Sequence, residues 1–247
     1  MTLRLFVDTP LVADSEIALP EGAARHAQVR RVQPGDTLWL FDGGGADWPA
    51  TVLAMGRHEV RVAVTQPLPV ATELPLAVTL ALGMPANERM DTLVEKATEL
   101  GVACIQPLLT ARSVLRLQGE RAQRKQAHWQ AIAVAACEQC GRARVPVVAP
   151  VRELASWLPQ AWAEGPRPLA LVLSLQAAAT PLRALPWAGA QAVLTLSGPE
   201  GGLAPEEEAA AIAAGFMPTA LGPRVLRADT APLAVLGWLG LAGLAAG

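Results

Sequence analysis

The amino-acid sequence changes rhythm once, and the change falls on a proline-rich stretch. Residues 67–75 read Pro-Leu-Pro-Val-Ala-Thr-Glu-Leu-Pro. A proline has no amide proton to give to a β ladder, so no strand is expected to continue through these three, and a linker is placed there. Before it the chain runs in short stretches of alternating polarity, at 3–7, 37–41, 50–53 and 59–64, divided by turn residues. That period of two predicts a small β-barrel over residues 1–70. After it, apolar runs at 76–82, 102–109, 169–175 and 192–196 alternate with helix-type segments at 87–100, 121–137, 153–163 and 205–214, and a last helix begins at 229. Strands separated by helices predict an α/β domain over residues 76–247, with a mainly parallel sheet covered on both faces.

A chain of 247 residues suits one large domain and a smaller one. Its amino-terminal residues carry neither a charged segment before an apolar run nor a small-residue cleavage site, and Cys104, Cys137 and Cys140 are too few and too unevenly spaced for a disulfide framework. A cytoplasmic protein with reduced thiols is the expectation. Residues 231–247 carry no charge, but the stretch is short for a membrane anchor, has no basic flank after it and mixes Leu with Gly and Ala. A buried helix, not a membrane span, is expected there.

The net charge of -2 gives no general affinity for polyanions. The distribution is uneven, however. Between 112 and 144, Arg112, Arg116, Arg121, Arg124, Lys125, Arg142 and Arg144 face only Glu120 and Glu138, seven positive charges against two. A nucleic-acid contact and a solvated helix face both fit that excess.

Two Gly-rich turns each follow an apolar strand: Ser197-Gly198-Pro199-Glu200-Gly201-Gly202 and Gly222-Pro223-Arg224-Val225-Leu226-Arg227. Parallel sheets bind ligands at the carboxyl ends of their strands, and glycine there lets a ligand approach the backbone. Either turn alone could equally be an ordinary strand-helix connection. The chain has no G-x-G-x-x-G and no G-x-x-x-x-G-K-[ST], which argues against dinucleotides and nucleoside triphosphates. The Cys137-x-x-Cys140 pair lacks a second pair or a histidine cluster, and His26, His58 and His128 are scattered, so no metal is expected. Glu206, Glu207 and Glu208 follow Pro205 at a helix start, where acidic side chains favour the helix dipole.

Three ordered segments carry a resemblance: 135–142 (Ala-Ala-Cys-Glu-Gln-Cys-Gly-Arg), the 198–202 turn and 221–227 (Leu-Gly-Pro-Arg-Val-Leu-Arg), with Glu95-Lys96-Ala97-Thr98-Glu99-Leu100-Gly101-Val102 upstream. Together they resemble the RsmE-type 16S rRNA uridine-N3 methyltransferases. The resemblance implies a SPOUT-type α/β domain whose carboxyl-terminal segment is tucked into a trefoil knot, preceded by a PUA-like RNA-binding barrel. It implies S-adenosylmethionine as cofactor, held bent by backbone groups of three loops. Carried onto this chain, those are Leu173, Leu175 and Gln176; Gly198, Pro199, Glu200, Gly201 and Gly202; and Leu221, Gly222, Leu226 and Arg227. Many relatives have Glu where Asp229 stands and Pro where Ala177 stands; capping the last helix is the expected role of Asp229. Arg31 matches a family arginine and Arg30 is an additional charge.

Methyl transfer needs in-line approach and no metal, but uracil N3 carries a proton that must leave. Arg227 is the candidate for stabilising the developing anion, and Glu138 or Glu200 for the base, although an ion pair or a loop brace would equally explain either carboxylate. Arg4, Arg30, Arg31, Arg112 and Arg142 are the candidate RNA contacts. The expected partners are 16S rRNA, within the small ribosomal subunit, and a second copy of the chain, because the last helix is apolar all round. Methylation of another RNA or of a ribose oxygen, and a non-catalytic RNA-binding or assembly factor, stay open alternatives.

Overall fold

The computed structural model describes residues 2–57, 59–86, 88–162 and 167–242; His58, Asn87, Ala163 and the final five residues of the expected last helix lie outside this set. The chain divides into two compact units, one of residues 1–73 with 134–145, the other of 74–133 with 146–247.

The first unit is a six-stranded sheet of β1 (Arg4–Phe6), β2 (Ser15–Ala18), β3 (Thr37–Phe41), β4 (Ala46–Met55), β5 (Val60–Val64) and β6 (Leu68–Pro69), with helix α1 (Glu21–Val29) between β2 and β3. The order is β1-β3-β4-β5-β2, and β6 pairs with β4. Alternation puts Leu38 and Leu40, Val52, and Val62 and Val64 on one buried face, against Ala23, Ala24 and Ala27 of α1. That helix was not expected, because its buried stripe is alanine, too weakly apolar to stand out as a period. The proline-rich stretch also differs from expectation. Leu68 and Pro69 pair antiparallel with Asp47 and Ala46, a two-residue pairing that does not use the missing proline amide.

The segment 134–145 completes this unit. Cys137 and Ala143 are buried with Phe41, beside Phe6, Val70 and Val145. Burial pushes the Cys137 thiol up to about 12.

Two arginines expected on RNA are consumed by this packing. Arg4 lies 4.6 Å over the Phe41 ring, donates to the Cys137 carbonyl at 2.6 Å and pairs with Asp47 at 2.5 Å. Arg142 is buried and grips the Glu73 carboxylate with Nε at 3.1 Å and a terminal nitrogen at 2.5 Å. A buried guanidinium needs its carboxylate partner, so neither Arg4 nor Arg142 is free to meet phosphate. Glu138 is likewise structural: it accepts the Phe6 amide proton at 3.0 Å and lies 3.4 Å from His26 Nδ1. Arg30 and Arg31 are exposed, and neither makes an ion pair among the described residues.

The second unit is built on an eight-stranded sheet: β7 (Ala77–Gly83), β8 (Cys104–Leu109), β9 (Val147–Val148), β10 (Arg152–Glu153), β11 (Leu169–Leu173), β12 (Thr180–Pro181), β13 (Ala192–Ser197) and β14 (Met217–Ala220). Its order is β10-β8-β7-β13-β11-β14-β12, with β9 on β8, and every pairing is parallel. The helices are α2 (Glu88–Glu99), α3 (Gly119–Cys140, whose last turns belong to the first unit), α4 (Leu154–Trp157), α5 (Pro205–Ala213) and α6 (Thr230–Leu241). Ala170 and Val172 of β11 pack with Leu194 and Leu196 of β13 and with Ala211 and Trp157, while Leu171 and Val193, pointing oppositely, are also buried. Sheet strands buried on both faces explain the unbroken apolar runs. The helix expected at 153–163 is only one α turn followed by a 3-10 turn, since Pro159 removes an amide donor.

Candidate cofactor cleft

Because β13, β11 and β14 are adjacent and parallel, their carboxyl ends open on the same edge of the sheet. The three segments that follow, beginning at Ser174, Gly198 and Leu221, line one cleft of about 480 Å³. Of the residues assigned from sequence to three cofactor loops, Leu173, Leu175, Gly198, Pro199, Glu200, Gly201, Gly202, Leu221, Gly222, Leu226 and Arg227 all border it. Gln176 does not. It borders a neighbouring hollow with Arg112, Leu203, Glu208 and Ile212.

Two glycines are dictated by geometry. A Cβ on Gly198 would run into the backbone of Gly202 and Leu203, because the turn folds tightly back on itself and the Gly202 amide bonds the Pro199 carbonyl at 2.8 Å. Gly222 has open space around it but a φ of 110°, a left-handed conformation that disfavours any side chain. At the end of β7, a Cβ on Gly83 would strike the Pro199 ring, so this glycine lets the 198–202 turn lie against the sheet.

The polar groups divide into braces and free charges. Glu200 accepts the Ala86 amide proton at 3.0 Å and a guanidinium proton of Arg89 at 3.3 Å, which ties the turn to the start of α2. Arg112 donates to the Gly201 carbonyl at 2.7 Å. Glu207 accepts the amide protons of Ala111 and Ala204, at 2.7 and 2.9 Å, and so fixes the first turn of α5. Arg227 and Arg224 are exposed at the cleft and make no ion pair among the described residues.

Asp229 corrects the expected cap. Its backbone is helical, at φ -77° and ψ -34°, rather than extended as a capping residue requires, and its side chain makes no cap hydrogen bond. Its Oδ1 is buried without a hydrogen-bond partner among the described residues. Sequence reading also missed Arg89, Ser174 and Glu208 as cleft residues. Ser174 donates to Glu208 at 2.5 Å and accepts the Gln176 amide proton at 3.1 Å, a chain of contacts that fixes the loop after β11. The pairing of a serine at a strand end with a glutamate 34 residues later has no local signature. Among the described residues no group of three or more His, Cys, Asp or Glu side chains could hold a metal ion.

A parallel α/β sheet with a glycine-lined cleft at its strand ends, in a chain that also carries a small β unit, defines the class of α/β proteins with a ligand site at the strand ends. Family comparison makes this specific. An RNA methyltransferase domain matches residues 72–240, and an RNA methyltransferase PUA domain matches residues 19–65. The chain is 36% identical to the ribosomal RNA small subunit methyltransferase E of Synechocystis, over 96% of this chain and 76% of that protein. It is 35% identical to that of Mycobacterium bovis, over 98% and 92%. The crystal structure of the Neisseria gonorrhoeae ribosomal RNA small subunit methyltransferase E bound to S-adenosyl methionine superposes with a TM-score of 0.89, at 34% identity over 98% of both chains. The chain belongs to the ribosomal RNA small subunit methyltransferase E family, as the resemblance in its sequence implied.

Proposed function

We propose that the chain methylates N3 of a uridine in 16S rRNA, with S-adenosylmethionine as methyl donor. The observation that carries this reading is the convergence of three parallel strand ends on one glycine-lined cleft that ends in Arg227, which makes no ion pair among the described residues. The residues fit such a cofactor: the cleft has a volume suited to a compact organic ligand, and Gly198, Gly201, Gly202 and Gly222 in its lining place no side chain between a ligand and the backbone. The cofactor, when bound, supplies an electrophilic methyl group on a sulfonium.

The protein's own residues hold and orient. Leu173, Ser174 and Leu175 with the 198–202 and 221–227 loops bind the cofactor. Arg227 stabilises the negative charge that grows on the uracil carbonyls as the N3 proton passes to solvent, an electrostatic role that a guanidinium fills without titrating. Glu200, already engaged by the Ala86 amide and Arg89, braces its turn, and Glu138 braces the barrel unit.

The division of labour in this proposal follows the two domains expected at 1–70 and 76–247. Arg30 and Arg31 of the barrel unit contact RNA phosphates, and Arg112 contributes from the cleft rim. The trefoil knot implied by the resemblance belongs to the same proposal. A homodimer, formed partly through α6, is supported by its apolar composition and by Leu241, which is 90% exposed. No helix among the described residues is long and apolar enough to cross a membrane, and we place the activity in the cytoplasm with its rRNA substrate.

The test is methyl transfer from labelled S-adenosylmethionine to 16S rRNA, naked and in small subunits, from a strain lacking the gene, with nucleoside mass spectrometry of the product. N3-methyluridine is the expected product. Absence of label, or label on a ribose, overturns the proposal.

A further inference from the structure

The charges around the cleft do not match a cationic cofactor unless one carboxylate is singled out. Four arginines border it, Arg89, Arg112, Arg224 and Arg227, against Glu200 and Glu208. Glu200 is neutralised by Arg89 at 3.3 Å. Arg112 donates to a neutral carbonyl, and Arg224 and Arg227 have no carboxylate partner among the described residues. Three arginine charges therefore stand over the site, while the ligand assigned to it carries a sulfonium. Of the carboxylates that border the cleft, Glu208 is the one left to oppose them. It is half-buried, borders the cleft, and forms no ion pair among the described residues; its Oε1 takes a hydrogen bond from the Ser174 hydroxyl instead.

We infer that Glu208 shifts the preference of this cleft toward the charged methyl donor and away from its neutral, demethylated product, against the pull of the three arginines. This rests on the cleft being the cofactor site. A sphere of the cleft's volume is about 10 Å across, close to the Debye length at physiological salt, so screening weakens but does not abolish the pull of this carboxylate on a cation held in it. S-adenosylmethionine carries one positive charge more than S-adenosylhomocysteine and otherwise differs by a methyl group. A fixed negative charge attracts the first more than the second. Such a preference has a purpose in turnover, because it favours exchange of spent product for fresh donor. Ser174 has a separable part: it holds the Glu208 carboxylate in place and, through the Gln176 amide, positions the loop after β11.

The experiment is calorimetric titration of the full-length protein with each ligand, for the wild type, E208Q and S174A. E208Q keeps a carbonyl oxygen to accept the Ser174 hydrogen bond and removes only the charge. It is expected to weaken S-adenosylmethionine about fivefold or more and S-adenosylhomocysteine less than about twofold, the signature of a lost charge interaction in a partly shielded site. S174A keeps the charge and loosens the loop, and is expected to weaken both ligands by a similar factor. Equal weakening of both ligands by E208Q, or no change in either, overturns the inference. Failure of the wild type to bind either ligand would instead remove the cofactor assignment on which the inference stands.

Discussion

Replacing Arg142 with Met separates a structural arginine from an RNA-binding one. Its side chain is 4% exposed and its guanidinium forks onto Glu73, whose side chain is 28% exposed. Removing one partner of a buried pair strands the other charge, which costs about 3–5 kcal/mol when both are fully buried. Partial exposure of Glu73 lets water recover some of that, so about 3 kcal/mol is the working figure, toward the low end of the range. For a protein of this size each kcal/mol lowers the melting temperature by roughly 2–4 °C, so R142M is expected to melt about 6–12 °C below wild type. The double variant R142M/E73M, with no charge left unpaired, should regain most of the loss. Thermal melts of the four proteins in the cycle, followed by circular dichroism, measure this, and filter binding to rRNA at several salt concentrations supplies the contrast. The salt slope of R142M should equal that of wild type. An unchanged melt together with a salt slope shallower by about one would mean that Arg142 contacts phosphate and that the buried pair contributes nothing.

Arg31 gives the opposite pattern, because it holds a φ of 56° just beyond the end of α1, where glycine is favoured. R31G should raise stability by about 0.5–1 kcal/mol while weakening rRNA binding and making its salt slope shallower by about one, read from melts and salt-dependent filter binding. The Cys137 thiol, pushed up to about 12 by burial, stays protonated in the folded chain while the unfolded chain ionises near the ordinary thiol value. Stability from this group is complete below that ordinary value and is lost as pH climbs from there toward 12, so C137A should show a flatter alkaline decline in denaturant midpoint than wild type. Light scattering without detergent should give a mass of two chains; a monomer at micromolar concentration would contradict pairing through α6.

What the sequence made legible followed the physics of burial. Strands β7, β8, β11 and β13 are buried on both faces and read as apolar runs, and the turns at Gly198 and Gly222 announce themselves through residues that a tight turn and a positive φ require. Strand β2 and helix α1 escaped notice because the first is Ser-Glu-Ile-Ala and the second buries only alanines. Arg4 and Arg142 were misread for a different reason: their carboxylate partners lie 43 and 69 residues away, and a charge pattern cannot tell a paired guanidinium from a free one. The same distance hides Glu208, which reads as one of three acidic residues at a helix start until tertiary structure sets it against Ser174. The two units part between residues 73 and 74, within the proline-rich stretch, while residues 134–145 belong to the first unit. A chain starting near Glu73 would leave Cys137 and Ala143 without Phe41 and Phe6 to cover them.

Whether the loops after β11, β13 and β14 form one cofactor site is tested most directly by calorimetric titration of S-adenosylmethionine into wild type and G198A, each with and without chelator. One site per chain is expected in the wild type, unaffected by chelator, with loss of at least about tenfold in affinity for G198A, whose added methyl cannot fit unless the 198–202 turn opens. Wild-type affinity in G198A, or binding that disappears on chelation, would contradict such a site.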